Sequence, residues 1–392
     1  MLLCLFYVFF IGLIIKKTVI YTILLSLFVC VLFSSYILGF QCFLFLVDEY
    51  NNYNRYYQMI ILIGSGCVLL LMVETFSAEA SVLMIIVMMG TLTLICSSNF
   101  LSIYLAIELQ TFPIFLLVTQ KKGYIYSAEA GLKYFILSAL SSGVFLFGCS
   151  FFYQLIGDID LVNIKIELTK ETIGDLFITV ALLFKIAAAP FHIWAPDVYS
   201  GAPSLITALL IILPKIGVFS ILIPINFSYI VLLVSVICSI LIGSIGGLNQ
   251  TKIKRLLAYS GINHIGFILF GLLIKSPESV QASLIYLTLY VFMSICIFSI
   301  IILTKSNLIL EFKGLSRAEP LMSFILAISI LSFAGIPPFI GFLSKWLILM
   351  SGIIHNFYFI SIISIICSMI AGVYYIRMVR VIYYPLKTLW VN

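Results

Sequence analysis

Apolar stretches long enough to cross a bilayer follow one another almost without interruption, from the first residues to about residue 376. A membrane helix uses about 20 such residues. Candidate spans fall at 1–15, 18–47, 58–74, 81–97, 99–119, 128–153, 174–200, 203–224, 227–248, 255–275, 280–304, 321–350 and 354–376. Of the 392 residues, 63% are apolar and 9% charged, against about 25% charged in ordinary soluble domains. A soluble fold of this size could not hide that much apolar surface. Soluble, disordered, collagen-like and nucleic-acid-binding classes are therefore excluded. The expected fold is an all-α polytopic membrane protein of about thirteen transmembrane helices, forming one domain over 1–392 with membrane lipid around it.

The connections test that count. Net charge is +6, but its distribution matters more than its sum. Odd-numbered connections hold Lys16, Lys17, Lys121, Lys122, Lys252, Lys254, Arg255, Lys305, Lys313 and Arg317, and the tail adds Arg377, Arg380 and Lys387. The other side has only Arg55, Lys165, Lys170 and Lys275. Its longest loop also carries Asp158, Asp160, Glu167 and Glu171. The positive-inside rule puts the basic side in the cytoplasm or matrix. The N-terminus then faces out and the C-terminus in. The start reads as a short first span, because Lys16 and Lys17 follow the apolar stretch instead of preceding it as in a secretory signal.

No polar linker or low-complexity tract divides the chain. A weak repeat is visible within it. The span at 174–200 is interrupted at Ala189-Pro190 and carries Lys185. The span at 321–350 is interrupted at Gly335-Ile336-Pro337-Pro338 and carries Lys345. They stand five spans apart, and an odd offset reverses direction. Two inverted five-helix repeats, about 81–224 and 227–376, are expected after three N-terminal helices in 1–74. Paired interrupted helices in matching positions point to a transport site.

Glu108, Lys185, Lys215 and Lys345 lie well inside apolar spans. Each central charge costs about 2.5–3.5 kcal/mol to insert, so four cost about 10–14 kcal/mol if unpaired. That rivals the net stability of a whole domain, about 5–15 kcal/mol. Such charges persist only if paired, hydrated or needed. Lys215 sits near mid-depth, where snorkelling to the surface is strained. The breaks beside Lys185 and Lys345 free backbone groups and admit water. For Glu108 the plain alternative is a static salt bridge. Burial works against a charged lysine and a nearby carboxylate works for it. A Glu–Lys pair about 7 Å apart, at an effective dielectric of about 20, attracts by about 2.4 kcal/mol. Opening and tightening such a pair can make the amine release or hold a proton, which makes a proton relay.

Secondary candidates are less clear-cut. Lys133, near the inner face, is either a channel-lining residue or a snorkelling one. His192 and His264 are either relay groups or hydrogen-bonded packing residues. Asp197 reads first as a cap at the inner end of its span. All nine cysteines fall in apolar runs without a C-x-x-C pair, so they read as small hydrophobes. No metal spacing, phosphate-binding glycine loop or nucleotide fingerprint is present. No metal site and no cofactor-binding site are expected in this chain.

The run Leu183-Phe184-Lys185-Ile186-Ala187-Ala188-Ala189-Pro190-Phe191-His192-Ile193-Trp194-Ala195-Pro196-Asp197-Val198-Tyr199 strongly resembles the antiporter-like membrane subunits of NADH:ubiquinone oxidoreductase, respiratory complex I. The continuation Ser200-Gly201-Ala202-Pro203 and Leu213-Pro214-Lys215-Ile216 is similar to the subunit 2 branch. Weaker matches in the right order are Ile107-Glu108-Leu109, Leu132-Lys133-Tyr134-Phe135, Lys254-Arg255-Leu256-Leu257-Ala258-Tyr259-Ser260, Gly335-Ile336-Pro337-Pro338 and Gly341-Phe342-Leu343-Ser344-Lys345. The resemblance runs from about residue 81 to 384.

It implies two inverted repeats with helix breaks at Pro190 and at Pro337 and Pro338. It also implies one proton channel, in which Glu108 and Lys185 form a modulating pair, Lys215 is the central carrier and Lys345 the terminal site. Lys133 and His264 would line the path. It further implies a place in the inner mitochondrial membrane among other membrane subunits of the complex, with NADH, flavin, iron–sulfur clusters and ubiquinone held by other subunits. The richness in Phe, Tyr, Ile and Lys suits an organelle-encoded chain. Bacterial relatives have fourteen spans against thirteen here, so the last span is expected to be lost or supplied by another polypeptide. Two rival readings are an independent cation/proton antiporter subunit and a scaffold with a dead channel. Retention of all four charges argues against the scaffold.

Overall fold

Ten of the thirteen expected spans fall on residues whose structure is described, and each is helical. The computed structural model describes residues 56–58, 60–61, 64, 78–120, 124–161, 172–225 and 228–384. The expected spans at 1–15 and 18–47, most of 58–74, and the basic residues Lys16, Lys17, Arg55, Lys121, Lys122, Lys165, Lys170 and Lys387 lie outside them.

The helices are α1 (Ala78–Ile95), α2 (Phe100–Thr119), α3 (Ile125–Ile156), α4 (Ile173–Lys185), α5 (Trp194–Gly201), α6 (Ser204–Leu222), α7 (Tyr229–Gly246), α8 (Ile253–Ile274), α9 (Pro277–Thr304), α10 (Leu315–Ala318), α11 (Pro320–Ala334), α12 (Ile340–Ile354) and α13 (Tyr358–Tyr383). Strand pairing among the described residues is limited to two isolated bridges. Polar residues mark several helix ends. Thr172 and Asp175 cap α4 reciprocally, as Ser276 and Ser279 cap α9, supplying acceptors to otherwise orphaned N–H groups. Gly157 ends α3 and Gly335 ends α11, both left-handed.

Helices α3 and α13 differ most from the hydropathy reading. Helix α3 is 32 residues long, and α13 runs to Tyr383, so Arg377 and Arg380 belong to a helix and not to a tail. The apolar window over α13 stops at Arg377, whereas the helix continues to Tyr383, where long arginine stems can reach the headgroups; α3 gains three uncharged residues at each end.

The same packing order appears twice. In the first series α1 packs on α2 and on α6, α2 on α3, and α3 on both pieces α4 and α5. In the second series α7 packs on α8 and on α13, α8 on α9, and α9 on both pieces α11 and α12. Each set is five elements with the fourth broken.

The connections confirm the alternation of sides. At one end, Lys254 Nζ donates to the Ala202 carbonyl (2.8 Å), and Ile253 N–H to the Asn307 carbonyl (3.1 Å). Those bonds join the connections after α5, after α7 and after α9. At the other end Phe100 N–H donates to the Ile159 carbonyl (3.1 Å), joining the connections after α1 and after α3. Helix α1 thus ends on the face where α3 ends and α7 begins, so the two series run in opposite directions.

The inner helices are α6, buried along its whole span, and α8, buried along most of its length. The outer faces of α3 and α13 leave Ile136, Leu140, Phe147, Ile362, Ile366 and Met369 exposed, as lipid-facing or neighbour-facing helices must.

Candidate functional site

Each broken helix leaves carbonyls without their usual partners, and the two breaks fill that need differently. In an uninterrupted α11 the Phe333 and Ala334 carbonyls would accept from residues 337 and 338. Both are proline and have no N–H. Lys345, six residues into α12, takes both carbonyls: its Nζ donates to Phe333 O (3.2 Å) and Ala334 O (2.7 Å). Gly335 makes room for it. Its φ is +78°, and a Cβ there would stand 2.8 Å from Lys345 Cδ and 2.9 Å from Nζ.

At the first break the Phe184 carbonyl is taken by the Trp194 indole N–H (3.1 Å) and the Ala187 N–H (3.1 Å). Lys185 is therefore free to turn outward from the break. Its Nζ donates to the Ser138 carbonyl of α3 (3.1 Å). It lines a narrow crevice with Ile107, Gln110, Thr111 and Tyr134, with room for about one water molecule. Glu108 lies on α2 beside this crevice. Its Oε2 accepts from the Thr111 hydroxyl (3.2 Å). It forms no salt bridge with Lys185 among those of the described residues. A static Glu108–Lys185 contact, the plain alternative, is absent there.

Lys215 sits on the fully buried helix α6 and is only 5% exposed, so it does not snorkel. Its Nζ donates to the Tyr290 hydroxyl (2.8 Å) and lies 4.7 Å from the centre of that ring. Tyr290 stacks on Phe333 (5.8 Å between centroids) and leans on His264 (5.3 Å). His264 Nδ1 faces the Tyr286 hydroxyl (2.7 Å) and its Nε2 the Tyr375 hydroxyl (3.2 Å). The His264 ring also packs on Phe333 (4.6 Å), whose carbonyl holds Lys345. Lys215, Tyr290, His264, Phe333 and Lys345 thus form one contiguous cluster between the repeats. Glu108 and Lys185 stand at a second cluster across α6, whose Pro214 and Val218 line the same crevice.

The remaining candidates fall elsewhere. Lys133 makes an ion cluster at the basic end, with Glu129 (2.7 Å) and Asp197 (3.0 Å), and Asp197 also accepts from Arg255. Asp197 therefore ties α3, α5 and α8 together and does more than cap its own helix. These side chains are 35–54% exposed, so the pairs contribute about 1 kcal/mol or less each. His192 lies in the turn between α4 and α5, partly exposed, with no hydrogen bond to any of the four intramembrane charges. Among the described residues no cluster of three or more His, Cys, Asp or Glu is placed to hold a metal, and Cys96, Cys149, Cys238, Cys296 and Cys367 are free thiols.

Sequence reasoning missed Tyr286, Tyr290 and Tyr375, which surround His264, and Trp194, which closes the first break. One signal was available: Tyr286 and Tyr290 are four residues apart and share a helix face.

Comparison with known proteins shows the family. Residues 97–371 match the family described as NADH:quinone oxidoreductase/Mrp antiporter, transmembrane. The chain belongs to that family. The NADH-ubiquinone oxidoreductase chain 2 of Metridium senile is 54% identical over 325 residues, covering 79% of this chain and 84% of the relative. The NADH-quinone oxidoreductase subunit N of Pelagibacter ubique is 35% identical over 361 residues, covering 85% and 76%. Within the family the chain thus falls in the chain 2/subunit N group. The fold is that of a chain in respiratory complex I from Thermus thermophilus (TM-score 0.86, 24% identity, 98% of this chain and 89% of that one). It is equally that of a chain in the Mrp complex from Dietzia sp. (TM-score 0.86, 19% identity, 97% and 78%).

Proposed function

We propose that this chain is a proton-translocating membrane subunit of an NADH:ubiquinone oxidoreductase in the inner mitochondrial membrane, and that Glu108, Lys185, Lys215 and Lys345 carry the protons. The observation behind this reading is Lys215. An amine on a helix buried along its whole span, with a single hydroxyl as its hydrogen-bond partner, is expensive for the fold and serves no packing need. Glu108 modulates Lys185 across the crevice, Lys215 is the central carrier, and Lys345 is the terminal site. Lys133, His192 and His264 are secondary groups along or near the path. NADH oxidation and quinone reduction take place in other subunits, which hold the redox cofactors. Neighbouring antiporter-like and small membrane subunits are the partners. The N-terminus faces the intermembrane space and the C-terminus the matrix, following the positive-inside rule. Domain limits follow the repeats, 81–224 and 227–376, after the N-terminal segment 1–74.

The test is Lys215→Ala in the assembled complex, reading protons pumped per NADH oxidised. A reduced ratio at normal assembly is expected. An unchanged ratio overturns the central-carrier role.

A further inference from the structure

The Lys215 amine is held by groups from the opposite repeat. Lys215 belongs to α6, the last element of the first series, whereas its hydrogen-bond partner Tyr290 lies on α9 of the second. The space they share is opened by Gly261 of α8: a Cβ there would stand 3.1 Å from Lys215 Nζ and 3.1 Å from the Tyr290 hydroxyl. Tyr290 is fixed in turn. It is 3% exposed, stacked on Phe333 and packed against His264. Its hydroxyl is chemically suited to a group that changes charge. A carboxylate partner would lock the amine as an ammonium ion. A hydroxyl accepts from an ammonium and donates to a neutral amine, so the contact survives either state. The ring face beside it adds attraction when the amine is charged.

We propose that Tyr290 is a positioning residue that draws the Lys215 amine across the boundary between the two repeats, into the space left by Gly261, and sets it toward the His264–Phe333 stack and Lys345. This rests on the relay reading given above. The three residues lie on three different helices, α6, α8 and α9, so the contact also depends on how the repeats are docked.

The test compares Lys215→Ala, Tyr290→Phe, Gly261→Ala and the Lys215→Ala/Tyr290→Phe double variant in the assembled complex, reading complex content and protons pumped per NADH. Tyr290→Phe keeps the ring, the stack and the packing and removes only the hydroxyl. It is expected to assemble normally and to lose at least half of what Lys215→Ala loses in pumping ratio. Gly261→Ala is expected to lose part of the pumping ratio as well, because its methyl, 3.1 Å from the Lys215 amine and the Tyr290 hydroxyl, pushes them a few tenths of an ångström apart. The double variant should pump no less than Lys215→Ala alone, since a hydroxyl that acts only through the amine has nothing left to position. A parental ratio in Tyr290→Phe overturns the proposal, as does a further, additive loss in the double variant or failure of Tyr290→Phe to assemble. If Lys215→Ala itself pumps normally, the relay reading fails first and the positioning role falls with it. Loss in Lys215→Ala with none in Tyr290→Phe sinks only the positioning role.

Discussion

The two interrupted helices break at prolines in matching places, but a different side chain closes each break. At the first, the free Phe184 carbonyl is capped by Trp194 and by a backbone N–H. At the second, the Phe333 and Ala334 carbonyls are capped by Lys345 itself. An indole N–H never changes charge, whereas an amine can. The first break therefore leaves its lysine free to face α3 and the Glu108 crevice. The second ties its lysine into the backbone. One fold closes matching breaks in two ways, at the first with a side chain that never ionises and at the second with the lysine itself.

That difference predicts the largest effect. Lys345→Ala leaves two buried carbonyls without a donor, at about 1–3 kcal/mol each, and should lower both the amount of assembled complex and its thermal stability. On the proposed relay, Lys185→Ala should reduce protons pumped per NADH with little loss of stability, because the Ser138 carbonyl lies inside α3 and also accepts from the Ser141 hydroxyl (2.7 Å). Equal destabilisation by the two variants would break the comparison.

A middle-sized effect is expected at Gly335. Both breaks contain a left-handed residue, Ala187 at φ +60° and Gly335 at φ +78°. A methyl group is tolerated at the first, so conformation alone does not demand glycine. At the second, the backbone cost of about 1–2 kcal/mol for an L-residue adds to the collision with Lys345. Gly335→Ala should therefore reduce melting temperature and pumping together. A variant that melts lower but pumps normally would show that the lysine finds another seat.

The smallest effect should come from Trp194→Phe. Its Phe184 carbonyl keeps the Ala187 N–H, so the loss is about 1 kcal/mol, read as a slight shift in thermal denaturation, with protons per NADH unchanged. A fall in pumping would mean that closure of the first break is also coupled to its lysine.

Much of this was legible in the chain itself. Ten described spans fall on their apolar stretches, nine of them to within about four residues at either end and α13 running seven residues further, because a bilayer fixes helix length and burial. Lys185, Lys215 and Lys345 stood out because insertion energetics penalise each of them wherever it points. What was illegible is partnership. The four-residue spacing of Tyr286 and Tyr290 puts them on one helix face, but nothing local says that Tyr290 meets Lys215, or marks Trp194 as the cap of Phe184. Lys133 and Asp197 looked like separate end-of-helix residues and turned out to share an ion cluster with Arg255, 58 residues further along from Asp197.

The sequence alone determined that this is a helical membrane protein, roughly where its spans and breaks lie, and which charges are out of place, because hydrophobicity, proline chemistry and charge solvation are properties of single residues and their neighbours. Only the tertiary structure decided which carbonyls Lys345 holds, that Lys185 donates to α3 and forms no salt bridge with Glu108, and that Lys215 belongs to one repeat while Tyr290 and Gly261 belong to the other. Those facts depend on helices distant in sequence being packed side by side, and packing is set by the whole bundle at once.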